Sequence, residues 1–443
     1  MKIISSYAVE IKNLDFNFID TAIIYQKALS FCINVCDKEW DSVHSIKKNQ
    51  LRQMFVESLI HTTKKNKPKY PEFDKDFCKF PSYLRRDVIS QVIGIVSSYR
   101  SNLENWNQNK IGNPPQLSFK HDAMPVFYRK NMYLTSDKPY ECFVKVYINK
   151  DWVWRKIKLK KTDVDYIQKH LSNIAPSAPK LEKRFGKYYL RFAFEKNIVL
   201  YDTDIFKRVI CSVDLGLNSD AVCTIMTADG TIHKRKFINF AGDKDHLWHI
   251  CNRIKKKQRE HGNKSISSLW RYATHLNDEL SVKIAIAIVE FAELWNADVI
   301  VFEKLNMKGK KHYGKNAQKL HLWRKNGIQE LVTHKAHERH MRISHICAWG
   351  TSKLAFDGSG EVSRNEYNRA IATFKNRKQY NCDLSASYNI GARYFIRELL
   401  KPVSETEWSQ LLAKVPEVER RTSCTYNTLL KLNSAFAELS EVA

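Results

Sequence analysis

The sequence predicts a bilobed, multidomain chain of α+β and α/β type. One lobe combines helices with a small β-barrel, and the other is built on an α/β sheet. Three observations predict this. Helical periodicity dominates residues 16–113, a strand-rich texture follows to about residue 206, and from residue 207 apolar strands end in carboxylates.

In chain order, Tyr7, Val9 and Ile11 alternate as in a short strand. Ile24, Ala28, Phe31 and Val35 then recur at helical spacing, as do Leu51, Phe55 and Leu59. Cys32 and Cys36 fall inside the first of these helices, where buried thiols are expected rather than a metal site. The lysine-rich run 64–69 marks an exposed connection. Pro81-Ser82 opens a long helix to about Trp106, with Val88, Val92, Ile95, Tyr99 and Leu103 along one side. Residues 142–147, 152–154 and 188–194 favour strands, and Phe185-Gly186-Lys187 supplies a turn. Together these suggest an inserted small barrel or curved sheet.

The second lobe begins with Arg208-Val209-Ile210-Cys211-Ser212-Val213-Asp214, a buried strand ending in an acid. Residues 221–227 and 232–238 form further strands around the turn Ala228-Asp229-Gly230-Thr231. Two helices follow, the second from about Asp278 to Trp295. Residues 298–303 then make another apolar strand, closed by Glu303. Near the end, Ser404-Glu405-Thr406-Glu407 is a capping box ahead of Trp408.

The chain has 443 residues, with 73 Lys and Arg against 47 Asp and Glu, for a net charge of +26. Self-repulsion of that size is relieved by a polyanion, and nucleic acid is a better candidate than an anionic membrane. Disordered, collagen-like and low-complexity classes are excluded by 43% hydrophobic residues and few Gly and Pro. Val88 to Tyr99 is too short to span a bilayer, and the start lacks an apolar signal region. Ten dispersed cysteines without a Cys-x-x-Cys suggest free thiols in a reducing cytoplasm. A cytoplasmic, nucleoid-associated location is therefore expected.

Asp214 and Glu303 each close an apolar strand, and Asp383 opens a helix-like segment. Three convergent acids suit a hard cation such as Mg²⁺, and two such ions can support phosphodiester hydrolysis. Singly, an acid at a strand end is common, and Asp383 could be an N-cap. Glu303 is harder to set aside, because a carboxylate beside a core strand is costly unless ligated or paired.

Val213-Asp214-Leu215-Gly216-Leu217, Val301-Phe302-Glu303-Lys304-Leu305 and Asp383-Leu384-Ser385-Ala386-Ser387-Tyr388-Asn389-Ile390 resemble the three motifs of a RuvC-like nuclease. The form resembled is that of transposon-encoded TnpB proteins and the compact type V CRISPR effectors. Their third motif reads approximately D-x-N-A-A-x-N-I, and here Ser385 and Ser387 depart from it. Thr351-Ser352-Lys353 is similar to a TSK element that the family carries between motifs two and three. The likeness is strongest over residues 207–395, and the D, E, D order disfavours a DDE transposase.

This resemblance implies an RNase H-like (RuvC) nuclease lobe in which Asp214, Glu303 and Asp383 hold two Mg²⁺ ions. It implies an RNA-guided DNA endonuclease whose partners are a guide RNA and target double-stranded DNA, recognised beside a short adjacent motif. No membrane partner is expected, and a monomer is favoured. The domains would be a wedge-like β-barrel (1–15 and 114–206) and a helical recognition domain (16–113). The nuclease lobe would comprise motifs one and two (207–340), a target-nucleic-acid-binding insertion (341–382), and motif three with C-terminal helices (383–443). Most relatives carry a four-cysteine zinc site in the insertion. Only Cys347 and Cys382 flank it here, so zinc is not expected, although His345, Cys347 and Cys382 remain an alternative metal set.

Two basic clusters are candidate nucleic-acid contacts. Lys308, Lys310, Lys311, Lys315 and Arg324 follow the second motif, with Tyr313 and Trp323 as stacking faces. Arg253, Lys255, Lys256 and Lys257 lie on the helix after the hairpin. The rival readings are a guided DNA-binding repressor that does not cut and an RNA-binding protein without a DNA target.

Overall fold

Apolar alternation along Lys2–Lys12 builds β1, which buries Ile3, Val9 and Ile11. In this computed structural model every residue is described except 13, 15, 111, 119–122, 129, 217–218, 263–265, 305–324, 365–367, 369 and 443. Two compact units result, residues 2–196 and residues 197–443 with Met1.

In the first unit β1 is followed by α1 (Ile19–Lys38), α2 (Trp40–Ser45), α3 (Asn49–Ile60), α4 (Glu72–Asp76) and α5 (Ser82–Asn109). The buried stripe of α5, Val88, Val92 and Val96, shares a core with Ala28, Leu29 and Cys32 of α1. Burial pushes the Cys32 thiol well above its ordinary pKa and Cys36 up to about 12, as expected of inert core thiols. Next come β2 (Tyr133–Thr135), β3 (Glu141–Ile148), β4 (Asp151–Leu159), α6 (Lys161–Leu171), β5 (Lys180–Arg184) and β6 (Lys187–Asn197). The strands make one six-stranded sheet in the order β2-β3-β4-β1-β6-β5.

The expected small barrel is corrected here. Among the described residues the sheet is open, with β2 and β5 at its edges. Closure needs a ladder between the edge strands, and β2 is only three residues long and pairs with β3. Helix α6 also interrupts a stretch that reads as strands throughout.

The second unit contains β7 (Ile210–Asp214), β8 (Ala221–Met226), β9 (Ile232–Ile238), α7 (Ala241–His261) and α8 (Ser267–Leu294). It continues with β10 (Val299–Lys304), α9 (Lys325–Glu338) and β11 (Arg342–Cys347). These strands form a five-stranded sheet, β11-β10-β7-β8-β9, in which β7, β10 and β11 are parallel. Cys211, Val213, Ile300 and Phe302 share a core with residues of α8 and α9.

A small antiparallel sheet follows, β12 (Ser363–Arg364), β13 (Ile371–Thr373) and β14 (Gln379–Asn381). It is packed through Phe356, whose ring centroid lies 5.6 Å from Phe374, 4.9 Å from Tyr380 and 5.2 Å from Tyr388. Helix α10 (Cys382–Leu399) covers the other sheet face, where Ile210, Val299 and Val301 share a core with Leu384, Tyr388 and Phe395. Helices α11 (Glu405–Lys414) and α12 (Tyr426–Val442) complete the unit. The expected capping box opens α11: Ser404 N–H donates to Glu407 Oε2 at 2.9 Å, and Glu407 N–H donates to Ser404 Oγ at 3.4 Å. Among the described residues no helix is long and apolar enough to cross a membrane.

Candidate active site

The period-two geometry of strands places the two strand-end acids together. Val213 stands opposite Phe302 in the parallel β7–β10 ladder, so Asp214 and Glu303 lie one step further along neighbouring strands. Val213 and Phe302 face α8 and α9, so alternation turns Asp214 and Glu303 to the α10 face. Helix α10 delivers the third acid in its first turn.

Asp383 is not the N-cap. That role belongs to Asn381, whose Oδ1 accepts the Leu384 N–H at 2.9 Å. The Asp383 carboxylate approaches the β7 turn instead: a Cβ built on Gly216 would lie 3.6 Å from Asp383 Oδ2 and 2.8 Å from the Ser219 carbonyl oxygen. The close approach of the Ser219 carbonyl thus requires a glycine at position 216.

Glu303 is buried, at 8% exposure, while Asp214 and Asp383 are half-buried. Burial, then the neighbouring carboxylates of Glu303 and Asp383, hold Asp214 well above the usual carboxylate range, and Arg364 opposes the rise. Burial likewise raises Asp383, again opposed by Arg364. Asp214 therefore senses both of the other acids electrostatically.

Two further residues fix this arrangement. Thr351, 2% exposed, donates its hydroxyl to Glu303 Oε1. Asn389, fully buried on α10, donates to the carbonyls of Thr351 at 3.0 Å and Leu354 at 2.9 Å, and accepts the Tyr426 N–H at 3.0 Å. Helix α10 thus supplies one acid and, through Asn389 and Thr351, braces another. Thr351 and Asn389 stood within resembled motifs, but their roles depend on long-range contacts. Arg364 on β12 was missed altogether, since nothing local marks it; its Nη2 donates to the Ser352 carbonyl at 3.2 Å.

Among the described residues no three His, Cys, Asp or Glu side chains make a protein-only metal cage. Mg²⁺ takes oxygen ligands and usually keeps several waters, so one or two carboxylates with water and phosphate are a sufficient donor set for it. His345, Cys347 and Cys382 do not come together as such a group either. Cys382 is buried, with its thiol donating to the Ser352 carbonyl at 3.6 Å, and Cys347 is exposed on β11.

Of the basic candidates, Arg253, Lys256 and Lys257 are exposed on α7, and Lys255 places its ammonium 4.9 Å from the Trp248 ring centroid. Leu247, Ile250 and Ile254 of α7 pack into a core of their own. Lys308, Lys310, Lys311, Tyr313, Lys315, Trp323 and Arg324 lie outside the described residues.

The Aq_aa04 family matches residues 5–148. No curated protein matches the chain. Among solved structures, the chain is similar to CasPhi-2 (Cas12j) bound to crRNA and phosphorothioate DNA. That likeness has 10% identity, a TM-score of 0.49, and coverage of 87% of this chain and 90% of that one. It is also similar to a Cas12f1–sgRNA–target DNA complex, at 13% identity over 97% of this chain and 98% of that one, with a TM-score of 0.45. A third likeness is to C2c1 of Alicyclobacillus acidoterrestris with single-guide RNA, at 9% identity over 86% and 68% of the two chains and a TM-score of 0.41. At such identities the role of each residue rests on this chain's own geometry.

Proposed function

We propose that this protein is an RNA-guided DNA endonuclease that hydrolyses phosphodiesters at one site formed by Asp214, Glu303 and Asp383. The observation that carries the reading is the pair of acids ending adjacent parallel strands on one face, with a third brought over them by α10. Ligands gather outside the carboxyl ends of strands in open α/β sheets, which is where this pair stands. The guide RNA and double-stranded DNA target follow from the motif resemblance, and a net charge of +26 suits both.

Asp214, Glu303 and Asp383 would hold two Mg²⁺ ions, which supply Lewis acidity toward the phosphate and the attacking water. The protein's own groups do the rest. Thr351 holds the Glu303 carboxylate in one orientation, and Asn389 keeps Thr351 in place. Arg364 provides a cation beside the acids, positioned to meet a phosphate oxygen.

The test is to purify the protein with its copurifying RNA, sequence that RNA, and offer a matched plasmid in Mg²⁺. Cleavage that is lost in Asp214→Ala and Glu303→Ala is the expected result. Cleavage unaltered by either substitution removes the site assignment, and absence of copurifying RNA at modest salt removes the guided mechanism. A matched target bound but left uncut would assign the chain to guided binding instead.

A further inference from the structure

Strand β11 ends at Cys347, opposite Lys304 of β10, and so reaches the same edge as Asp214 and Glu303. The turn beyond it carries Trp349, a residue 71% exposed, two residues before the Thr351 that braces Glu303. Two residues of extended chain span at most about 7 Å, so the backbone that carries the indole adjoins the residue that braces the acid site.

The backbone beneath this ring is held firmly. Arg393 is 5% exposed, and its guanidinium donates to four carbonyls: Cys347 at 3.0 Å, Trp349 at 2.7 Å, Thr422 at 2.8 Å and Cys424 at 2.9 Å. Gly350 follows at φ +75°, where a Cβ would meet the Thr422 carbonyl oxygen at 3.4 Å. Asn389 then fixes the Thr351 carbonyl. A buried arginine bonded to four carbonyls and a left-handed glycine thus hold rigid a turn whose outward feature is an exposed indole. The Lys353 ammonium lies 5.8 Å from the centroid of that ring, and Arg364 donates to the neighbouring Ser352 carbonyl. A flat aromatic face amid cations at the edge of a phosphodiester-cleaving centre has the chemistry that receives a nucleobase and its phosphate.

We propose that Trp349 is a stacking platform for one unpaired base of the strand that enters the cut site, with Lys353 beside it for the adjoining phosphate. The proposal rests on the nuclease reading above. A rigid platform sets the register of the strand, so that one phosphodiester is presented to the acids. No covalent step is involved.

The test uses the protein with its copurified RNA, in Ca²⁺ to separate binding from cleavage. The probe is a labelled single-stranded oligodeoxynucleotide that extends beyond the segment pairing with that RNA. An abasic site is placed at successive positions of the unpaired part, and affinity is read by fluorescence anisotropy. The parent protein should lose about tenfold in affinity at one position, the size of one lost stack. Trp349→Ala should bind the intact strand about tenfold more weakly and be indifferent to the abasic site at that position, while Trp349→Phe keeps most of the sensitivity. Because the ring is exposed, the alanine variant should melt with the parent.

An identical abasic profile in parent and Trp349→Ala overturns the proposal and leaves the nuclease reading standing. Failure of the parent to bind the strand at all removes both. A variant that binds DNA as the parent does but no longer self-associates also overturns it, assigning the ring to a protein contact.

Discussion

On one face of the five-stranded sheet Cys211, Val213, Ile300 and Phe302 meet α8 and α9 in an apolar layer, whereas on the other Ser212, Asp214 and Glu303 meet α10. The same strands build both faces, because successive residues point to opposite sides. On the apolar face burial is itself stabilising, and neighbours tolerate one another by volume. On the α10 face each buried polar group needs a partner, and the helix answers with Ser387 against Thr224, Asn389 against Thr351, and Asn381 at its own start. The first face can be loosened without loss of chemistry, while the second holds a charge cluster that the fold must restrain.

The strongest way to separate the faces is Asp214→Asn. Cleavage should fall by about three orders of magnitude or more. Stability should move the other way, because the amide removes a carboxylate that burial, and then the neighbouring Glu303 and Asp383, disfavour. Thermal melting in EDTA should rise by about 2–4 °C, the shift expected for roughly 1 kcal/mol in a unit of this size. A lowered melting temperature in EDTA would show that the buried Asp214 carboxylate does not destabilise the fold.

Phe302→Ala attacks the apolar face, one residue from Glu303 but pointing away from it. Phe302 is fully buried, and the cavity should cost about 3–5 kcal/mol, read by urea denaturation. The cutting rate per folded molecule should change far less than in Asp214→Asn. An equal loss of rate would mean that the two faces are not independent.

Thr351→Val tests the bracing of Glu303. The change keeps the shape and removes the hydroxyl that donates to Glu303 Oε1, and loss of a hydrogen bond to a charged group costs about 1.5–3 kcal/mol. Cleavage should fall about ten- to a hundredfold with oligonucleotide affinity unchanged, and Thr351→Ser should restore it. Cleavage undiminished in Thr351→Val would show that the hydroxyl does not brace Glu303, and failure of Ser to rescue a loss in Val would show that the methyl group is needed as well.

These three substitutions divide along the line between what could be read from sequence and what could not. Asp214 and Glu303 were legible because each ends an apolar run, and a carboxylate there needs a reason. The hairpin turn at residues 228–231 and the Ser404 capping box were legible because their signals span only four residues. The open β1–β6 sheet was not, since strand texture says nothing of which edges meet. Arg364 was invisible for the same reason: an exposed arginine in a two-residue strand has no local mark, and only the return of the chain past Ser352 brings it to the acids. Thr351 and Asn389 lay between these cases, noticed as motif members yet without a stated role.

The smallest expected effect concerns the departure at Ser387, where the resembled motif has Ala. Ser387 Oγ donates to the Leu384 carbonyl at 2.8 Å and lies 2.6 Å from Thr224 Oγ1. A hydroxyl has one proton, so with Ser387 committed to Leu384 the donor between the two side chains is Thr224. Ser387→Ala should therefore cost about 1 kcal/mol, because it strands the Thr224 proton in the core. Thr224→Val should cost less, since Ser387 keeps its bond to Leu384 and loses only an incoming donor. The double substitution should be more stable than Ser387→Ala alone, because no donor is left stranded. A double-mutant cycle in urea reads this coupling directly. If the two losses simply add, Ser387 is a tolerated substitution and Thr224 has another partner. If they couple, the serine at this position of α10 is matched by a threonine on β8, and the polar face is built as pairs.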